Sequence, residues 1–293
     1  MFLCCMETVK DAYHEFKLTL APLYGVQEAD AIASMALTEL TGYSKAKLKA
    51  FVNDPLNEAQ QQRAHKVLKE LATGKPVQYV LGYAHFYGLD FKVSSAVLIP
   101  RPETEELVQW ILETMEGSQP QTVLDIGTGS GCIPIAIKTE QPNSKLFAID
   151  ISRDALAVAQ ANAEMNKVVV KYVNADILDL HADEIINQTY HIIVSNPPYV
   201  TETDKLQMHT NVTDFEPHTA LFVSDTNPLI FYKVITDFAS EHLFPGGYLF
   251  FEINESYGAA TLDILVRKGF VNAELRQDMI GKDRMIRAQW PDA

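Results

Sequence analysis

From residue 121 onward, short apolar runs alternate with stretches of helical spacing, and this alternation restricts the fold more than any other feature of the chain. The apolar runs cover 122–126, 145–149, 169–173, 190–195 and 246–252, with helical stretches at 131–139, 153–165 and 226–243. Parallel neighbours cannot be joined by a tight turn and need a crossover. Strand, helix, strand in succession therefore implies a parallel sheet covered by helices on both faces. The tail "FVNAELRQDMIGKDRMIRAQW" reads as two further strands joined by a turn at Gly281, Lys282 and Asp283. The expected fold class is α/β, with a seven-stranded, mostly parallel sheet.

The first 74 residues have a different character. In "DAIASMALTEL", Ile32, Met35, Ala36 and Leu40 share one helical face, and in "NEAQQQRAHKVLKELATG" Ala64, Val67, Leu68 and Leu71 do the same. Asn57 suits an N-cap and Gly74 a C-cap. Residues 1–74 are read as a helical domain that touches a partner. Residues 75–100, rich in aromatic and β-branched side chains and holding Gly82 and Gly88, are read as a β-hairpin linker. A helix with Leu107, Trp110, Ile111 and Met115 on one face opens the third segment, 101–293.

"VLDIGTGSGCIPIAI" (123–137) runs strand, glycine loop, helix. Gly127, Gly129 and Gly131, with Thr128 and Ser130 between them, have the spacing G-x-G-x-G and not the G-x-G-x-x-G of a dinucleotide fingerprint. Asp125 just ahead of the loop is a poor neighbour for a pyrophosphate and a good one for an ammonium group. The next strand ends at Asp150, where an acid accepts ribose hydroxyls. The third leads into Asp176 and Ile177 at the same level. Ligands of open α/β sheets gather outside the carboxyl ends of the strands. A ribose, a positive group and a base with no required pyrophosphate describe S-adenosylmethionine.

The fourth strand ends in "IIVSNPPYV". Two prolines in succession cannot continue a ladder, since neither has an N–H. Asn196 brings a side-chain oxygen, and Pro197 a backbone carbonyl that no ladder claims. Two such acceptors hold both hydrogens of a planar NH2 group, and their grip strengthens as that nitrogen becomes positive on alkylation. Tyr199 is placed to pack its ring on the substrate or near a cationic methyl. These residues alone serve a carboxamide or the exocyclic amine of adenine equally well.

With the Asn-Pro-Pro-Tyr hook, "GKPVQYVLGYAHFYGLDFKV", "LIPRPETEELV" and "DFEPHTAL" narrow the choice. Together they resemble the HemK/PrmC family, the peptide chain release factor glutamine N5-methyltransferases, over roughly residues 74–290. The resemblance implies a class I, Rossmann-like methyltransferase fold. It implies methyl transfer from S-adenosylmethionine, leaving S-adenosylhomocysteine, to the glutamine of the Gly-Gly-Gln motif of a release factor. Carried over, Asp125, Gly127 to Gly131, Asp150, Asp176, Ile177 and Asn196 line the cofactor. Asn196, Pro197, Pro198 and Tyr199 hold the glutamine amide. Arg101 is read equally as a residue facing the crevice and as part of a strand-to-helix connector. The chain departs from the family pattern at Ile177, where an aromatic is common, and at Asp214, where relatives carry Arg.

The formal net charge of −14 argues against a broad grip on nucleic acid, which runs on Lys and Arg. That sets an adenine N6-methyltransferase behind a glutamine methyltransferase, with a ribosomal-protein glutamine methyltransferase as the nearer alternative. Three cysteines, Cys4, Cys5 and Cys132, make no disulfide framework and fit a reducing cytoplasm. "MFLCCM" has no basic start and is too short for a signal peptide. No metal, membrane span or direct nucleic-acid contact is expected.

Overall fold

The central strands Thr122–Ile126 and Tyr190–Ser195 are buried on both faces, as their apolar runs require, and the strands assemble in the order that crossover connections dictate. The computed structural model describes residues 6–115, 117, 119–205, 208 and 210–292. Cys4 and Cys5 lie outside them, and Cys132 is a free, buried thiol. Two compact units divide these residues. One runs to Gly82 and includes the segment ending at Phe215. The other takes Tyr83–Met208 and everything from Glu216.

The large sheet belongs to the second unit. Its strands are β1 (Thr122–Ile126), β2 (Lys145–Asp150), β3 (Lys171–Asn174), β4 (Tyr190–Ser195), β5 (Leu243–Glu252), β6 (Val271–Gln277) and β7 (Asp283–Gln289). Their spatial order is 3-2-1-4-5-7-6. β1 to β5 pair in parallel, whereas β7 runs antiparallel to both β5 and β6. The turn between β6 and β7 spans Gly281, as the sequence predicts. β3 begins at Lys171 and not at Val169, which is 80% exposed.

Side chains alternate between two cores. Val123, Ile192, Val194 and Phe250 face one side, where the helices Pro102–Met115 and Cys132–Glu140 pack through Leu107, Trp110, Ile111, Ile133 and Ile137. Leu124, Ile126, Ile193 and Phe251 face the other, against Tyr232, Ile235 and Phe238 of the helix Ile230–His242. The period of two along each strand produces both layers at once.

The first unit is helical: Val9–Tyr24, Val26–Thr41, Lys45–Ala50, Glu58–Leu71 and Val77–Leu81. The predicted face of Glu58–Leu71 is the buried one, with Ala64, Val67, Leu68 and Leu71 inside, and Asn57 caps it in a reciprocal box with Gln60. Met35 is only half-buried, and Ala33 and Leu37 take its place in the core. The C-cap is Ala72, not Gly74. Residues 77–81 are helical, not strand: the apolar Val77 and Tyr79 are buried there, and Gly82 ends the turn in the left-handed region. The hairpin itself is Tyr83–Phe86 with Leu89–Lys92. Among the described residues no helix is long and apolar enough to cross a membrane.

Candidate active site

β1 leads outward to β2 and β3 on one flank, and the chain then returns to β4 on the other. The carboxyl ends of β1 and β4 therefore form the switch point of the sheet. The register pairs Ile126 with Ser195. Gly127 and Asn196 thus leave the sheet side by side, which explains why two motifs about seventy residues apart serve one cavity. A hydrogen bond from the Ser195 hydroxyl to the Ile126 carbonyl, 2.7 Å, ties the two ends together.

The glycine loop is held by its own amides. Gly127 and Thr128 donate to the Ile149 carbonyl at 2.9 and 3.0 Å, Gly129 to Asp150 Oδ2 at 2.8 Å, and Gly131 to the Thr128 carbonyl at 2.9 Å. These N–H groups point at the end of β2 and at the loop itself, so they are not a cradle for phosphate. Gly131 has φ +79°, and a Cβ there would meet the Tyr172 hydroxyl at 3.0 Å and Ala159 Cβ and Ile135 Cδ1 at 3.1 Å. Only glycine lets the following helix pack that closely. Asn162, on the buried face of the helix Arg153–Met165, braces the loop by donating to the Ser130 carbonyl at 2.9 Å and pairing with both backbone groups of Lys92.

Acidic groups surround the loop. Asp150 uses one lone pair on each oxygen, for Gly129 and for the Ser152 amide at 2.9 Å. A carboxylate has about four acceptor sites, so two remain for hydroxyls of a ligand. Asp176 accepts from the Leu178 amide at 2.9 Å and opens a short turn through Ile177. Asp125 is 1% exposed, and among the described residues neither of its oxygens accepts a hydrogen bond. Burial pushes its pKa up to about 7; the neighbouring Thr128 hydroxyl opposes the shift and Asp150 adds to it. An unpartnered buried carboxylate behind a loop is a natural counter-charge for a cationic ligand.

The cavity beside these groups measures about 360 Å³, within the usual range for small-molecule sites. Gly127 to Ser130, Asp150, Asp176, Ile177, Asn196, Pro197, Pro198 and Arg101 all line it. Asp125, Gly131 and Tyr199 stand behind the wall. Tyr199 is turned the other way from the sequence expectation: its hydroxyl donates to Glu252 Oε1 at 3.2 Å. Burial raises its pKa. Asn196 Nδ2 donates to Thr104 Oγ1 at 3.3 Å. Among the described residues, no hydrogen bond engages the Asn196 side-chain oxygen or the Pro197 carbonyl.

Arg101 does both things the sequence allows. It lines the cavity and donates to Glu216 Oε1 at 2.6 Å, while Glu216 Oε2 accepts from the Ile99 amide at 3.3 Å. Glu216, 3% exposed, thereby joins "IPR" to "FEP". Asp214 is exposed and accepts from the neighbouring Thr213 hydroxyl. Thr104, Glu252, Glu216 and Asn162 escape the sequence reading. Their common signal is a polar residue on an otherwise buried face, as in "YLFFE" and in "AVAQANAEM".

Two family models match the chain. The methyltransferase small domain covers residues 104–214, and the PrmC N-terminal domain covers residues 11–82. The release factor glutamine methyltransferase of Flavobacterium psychrophilum is 41% identical, over 96% of this chain and 99% of its own length. That of Bacteroides thetaiotaomicron is 40% identical, over 92% and 96%. Among solved structures, a methyltransferase from Pyrococcus furiosus shares the fold with a TM-score of 0.50 at 18% identity, over 79% of this chain and 99% of that one.

Proposed function

The chain belongs to the release factor glutamine methyltransferase family, and on that premise we propose that it methylates the side-chain nitrogen of the glutamine in the Gly-Gly-Gln motif of a release factor, with S-adenosylmethionine as donor. The observation that carries this reading is the pairing of Ile126 with Ser195. It supports the reading by bringing Asn196 and Pro197, whose acceptor oxygens have no hydrogen bond among the described residues, to the wall of a cavity lined by the glycine loop.

The residues fit the donor. Asp150 keeps acceptor sites for the ribose, Ile177 offers an aliphatic face to adenine, and the unpartnered Asp125 carboxylate lies behind the loop for the ammonium end. When bound, S-adenosylmethionine supplies a methyl already activated on a sulfonium. A carboxamide nitrogen is a weak nucleophile because its lone pair is delocalised. Asn196 Oδ1 and the Pro197 carbonyl hold its two hydrogens and aim the nitrogen into the cavity. Both oxygens bind more strongly as the nitrogen gains positive charge, which lowers the barrier and not merely the ground state; after transfer the nitrogen gives up one of its two protons to solvent. Holding the partners in line is worth about 7–11 kcal/mol of the barrier in favourable cases. We assign the helical unit to gripping the protein substrate.

The test is direct. After incubation of the enzyme with a release factor and S-adenosylmethionine, peptide mass spectrometry finds one added methyl on the glutamine of Gly-Gly-Gln. Transfer to DNA or to a ribosomal protein, with the release factor left unmodified, overturns the reading.

A further inference from the structure

We infer that Thr104 and Glu252 are positioning residues, which together fix the Asn196 carboxamide with its NH2 turned inward and its oxygen toward the substrate amide. The inference rests on the glutamine reading above. An asparagine does not itself decide which end faces a cavity. The two ends are nearly equal in size and opposite in hydrogen-bonding sense, so the partners decide.

The partners come from two further elements. Thr104 lies in the first turn of the helix Pro102–Met115 and is 3% exposed; Glu252 closes β5 and is 1% exposed. Glu252 Oε2 accepts from the Thr104 hydroxyl at 2.6 Å, and Oε1 accepts from the Tyr199 hydroxyl at 3.2 Å. Each carboxyl oxygen of Glu252 thus accepts from a hydroxyl. A hydroxyl has one proton, so in this arrangement that of Thr104 is committed to Glu252, and toward Asn196 Thr104 shows lone pairs alone. It meets Asn196 Nδ2 at 3.3 Å. A flipped Asn196 would set its oxygen against those lone pairs and offer NH2 to the NH2 of the substrate, donor against donor. Hydrogen-bond polarity thus runs from Asn196 through Thr104 to Glu252, and the buried carboxyl at the end of that chain specifies an acceptor in the cavity.

The experiment compares Thr104→Val, Thr104→Ser and Glu252→Gln in the full-length enzyme. Steady-state kinetics with a release factor, calorimetric affinity for S-adenosylmethionine and thermal melting are measured for each. Hydrogen exchange of the Asn196 side-chain NH2 is followed by NMR in labelled protein. Thr104→Val is expected to lower kcat about 10- to 100-fold. KM for the release factor and the cofactor affinity should stay within about threefold, and the NH2 should lose its protection. Thr104→Ser restores the hydroxyl and should return kcat to within about threefold of wild type, with the NH2 protected. Glu252→Gln keeps the shape but allows either polarity, and should lower kcat by an intermediate factor; it carries the test if Thr104→Val does not fold. A Thr104→Val enzyme with wild-type kcat and a protected NH2 overturns the inference. So does Thr104→Ser falling as far as Thr104→Val, since methyl packing and not the hydroxyl would then matter. If the wild-type enzyme leaves release factor glutamine unmodified, the function fails separately, and the exchange of the Asn196 NH2 still decides how the amide is held.

Discussion

Replacing Asp125 by asparagine removes a buried titratable group that has no ion-pair partner among the described residues. The Asp125 pKa rises from an ordinary 3.8 to about 7. A folded-state pKa above the unfolded value means that the native protein holds a proton the unfolded chain has lost. Stability from this group therefore falls as pH rises through that interval, and is flat above it. At up to roughly 1.4 kcal/mol per unit, and with the group half-titrated at pH 7, the loss between pH 5 and pH 7 is about 2 kcal/mol. For a unit of this size that corresponds to roughly 4–8 °C in Tm. The substituted amide does not titrate. The Tm of Asp125→Asn minus that of wild type should therefore climb between pH 5 and pH 7 and then level off, in calorimetric melts without ligand. Adding S-adenosylmethionine should bring a cation to the carboxylate and drive its proton off. Wild type should then release up to one proton on binding below pH 7, read from titration enthalpies in buffers of different ionisation heat, and the variant none. Parallel Tm profiles for the two proteins would refute the reasoning.

Other outcomes follow from the same geometry. Asn196→Ala should lower kcat about 100- to 1000-fold while the calorimetric affinity for S-adenosylmethionine stays within about threefold, because the lost contact strengthens mainly in the transition state. Asp150→Asn should weaken that affinity about 10- to 100-fold and leave kcat at saturating cofactor nearly unchanged, as hydrogen bonds to a charged acceptor are lost. Gly131→Ala forces a Cβ into the Tyr172 hydroxyl at a positive φ. It should destabilise the fold by about 2–4 kcal/mol in denaturant titrations. A release factor carrying Gly-Gly-Glu should be rejected by about 10⁴-fold in kcat/KM, since two acceptors would face an anion.

The parts of the site carried by backbone geometry are legible in the sequence. Three alternate glycines, Asp150 at the end of a strand, Asp176 just past the next and a double proline after another each have a local structural cause, and these motifs all reach one cavity. The parts carried by long-range pairing are not legible. Nothing local marks Thr104 as the acceptor for Asn196, or Glu252 as the acceptor for Thr104. Those partners sit 92 and 148 residues apart. Tyr199 shows the same limit: its place in the motif aims the ring at the substrate, and a buried carboxylate on β5 turns its hydroxyl away. The helix Val77–Leu81 fails for a different reason, since a short run rich in Val and Tyr has strand propensity that the burial of Val77 and Tyr79 and the left-handed stop at Gly82 override.

The pairing of Ile126 with Ser195 also sets a distance. Neighbouring strands in any sheet lie about 4.8 Å apart. In the proposed reaction, the strand whose loop would hold the methyl donor and the strand whose hook would hold the acceptor nitrogen are spaced by that ladder and not by loops. A reaction that needs its two atoms at about 3–3.5 Å would then have its ruler in the sheet itself. Substitutions at the rim would be expected to alter what is admitted more than how closely the two reactants are brought together.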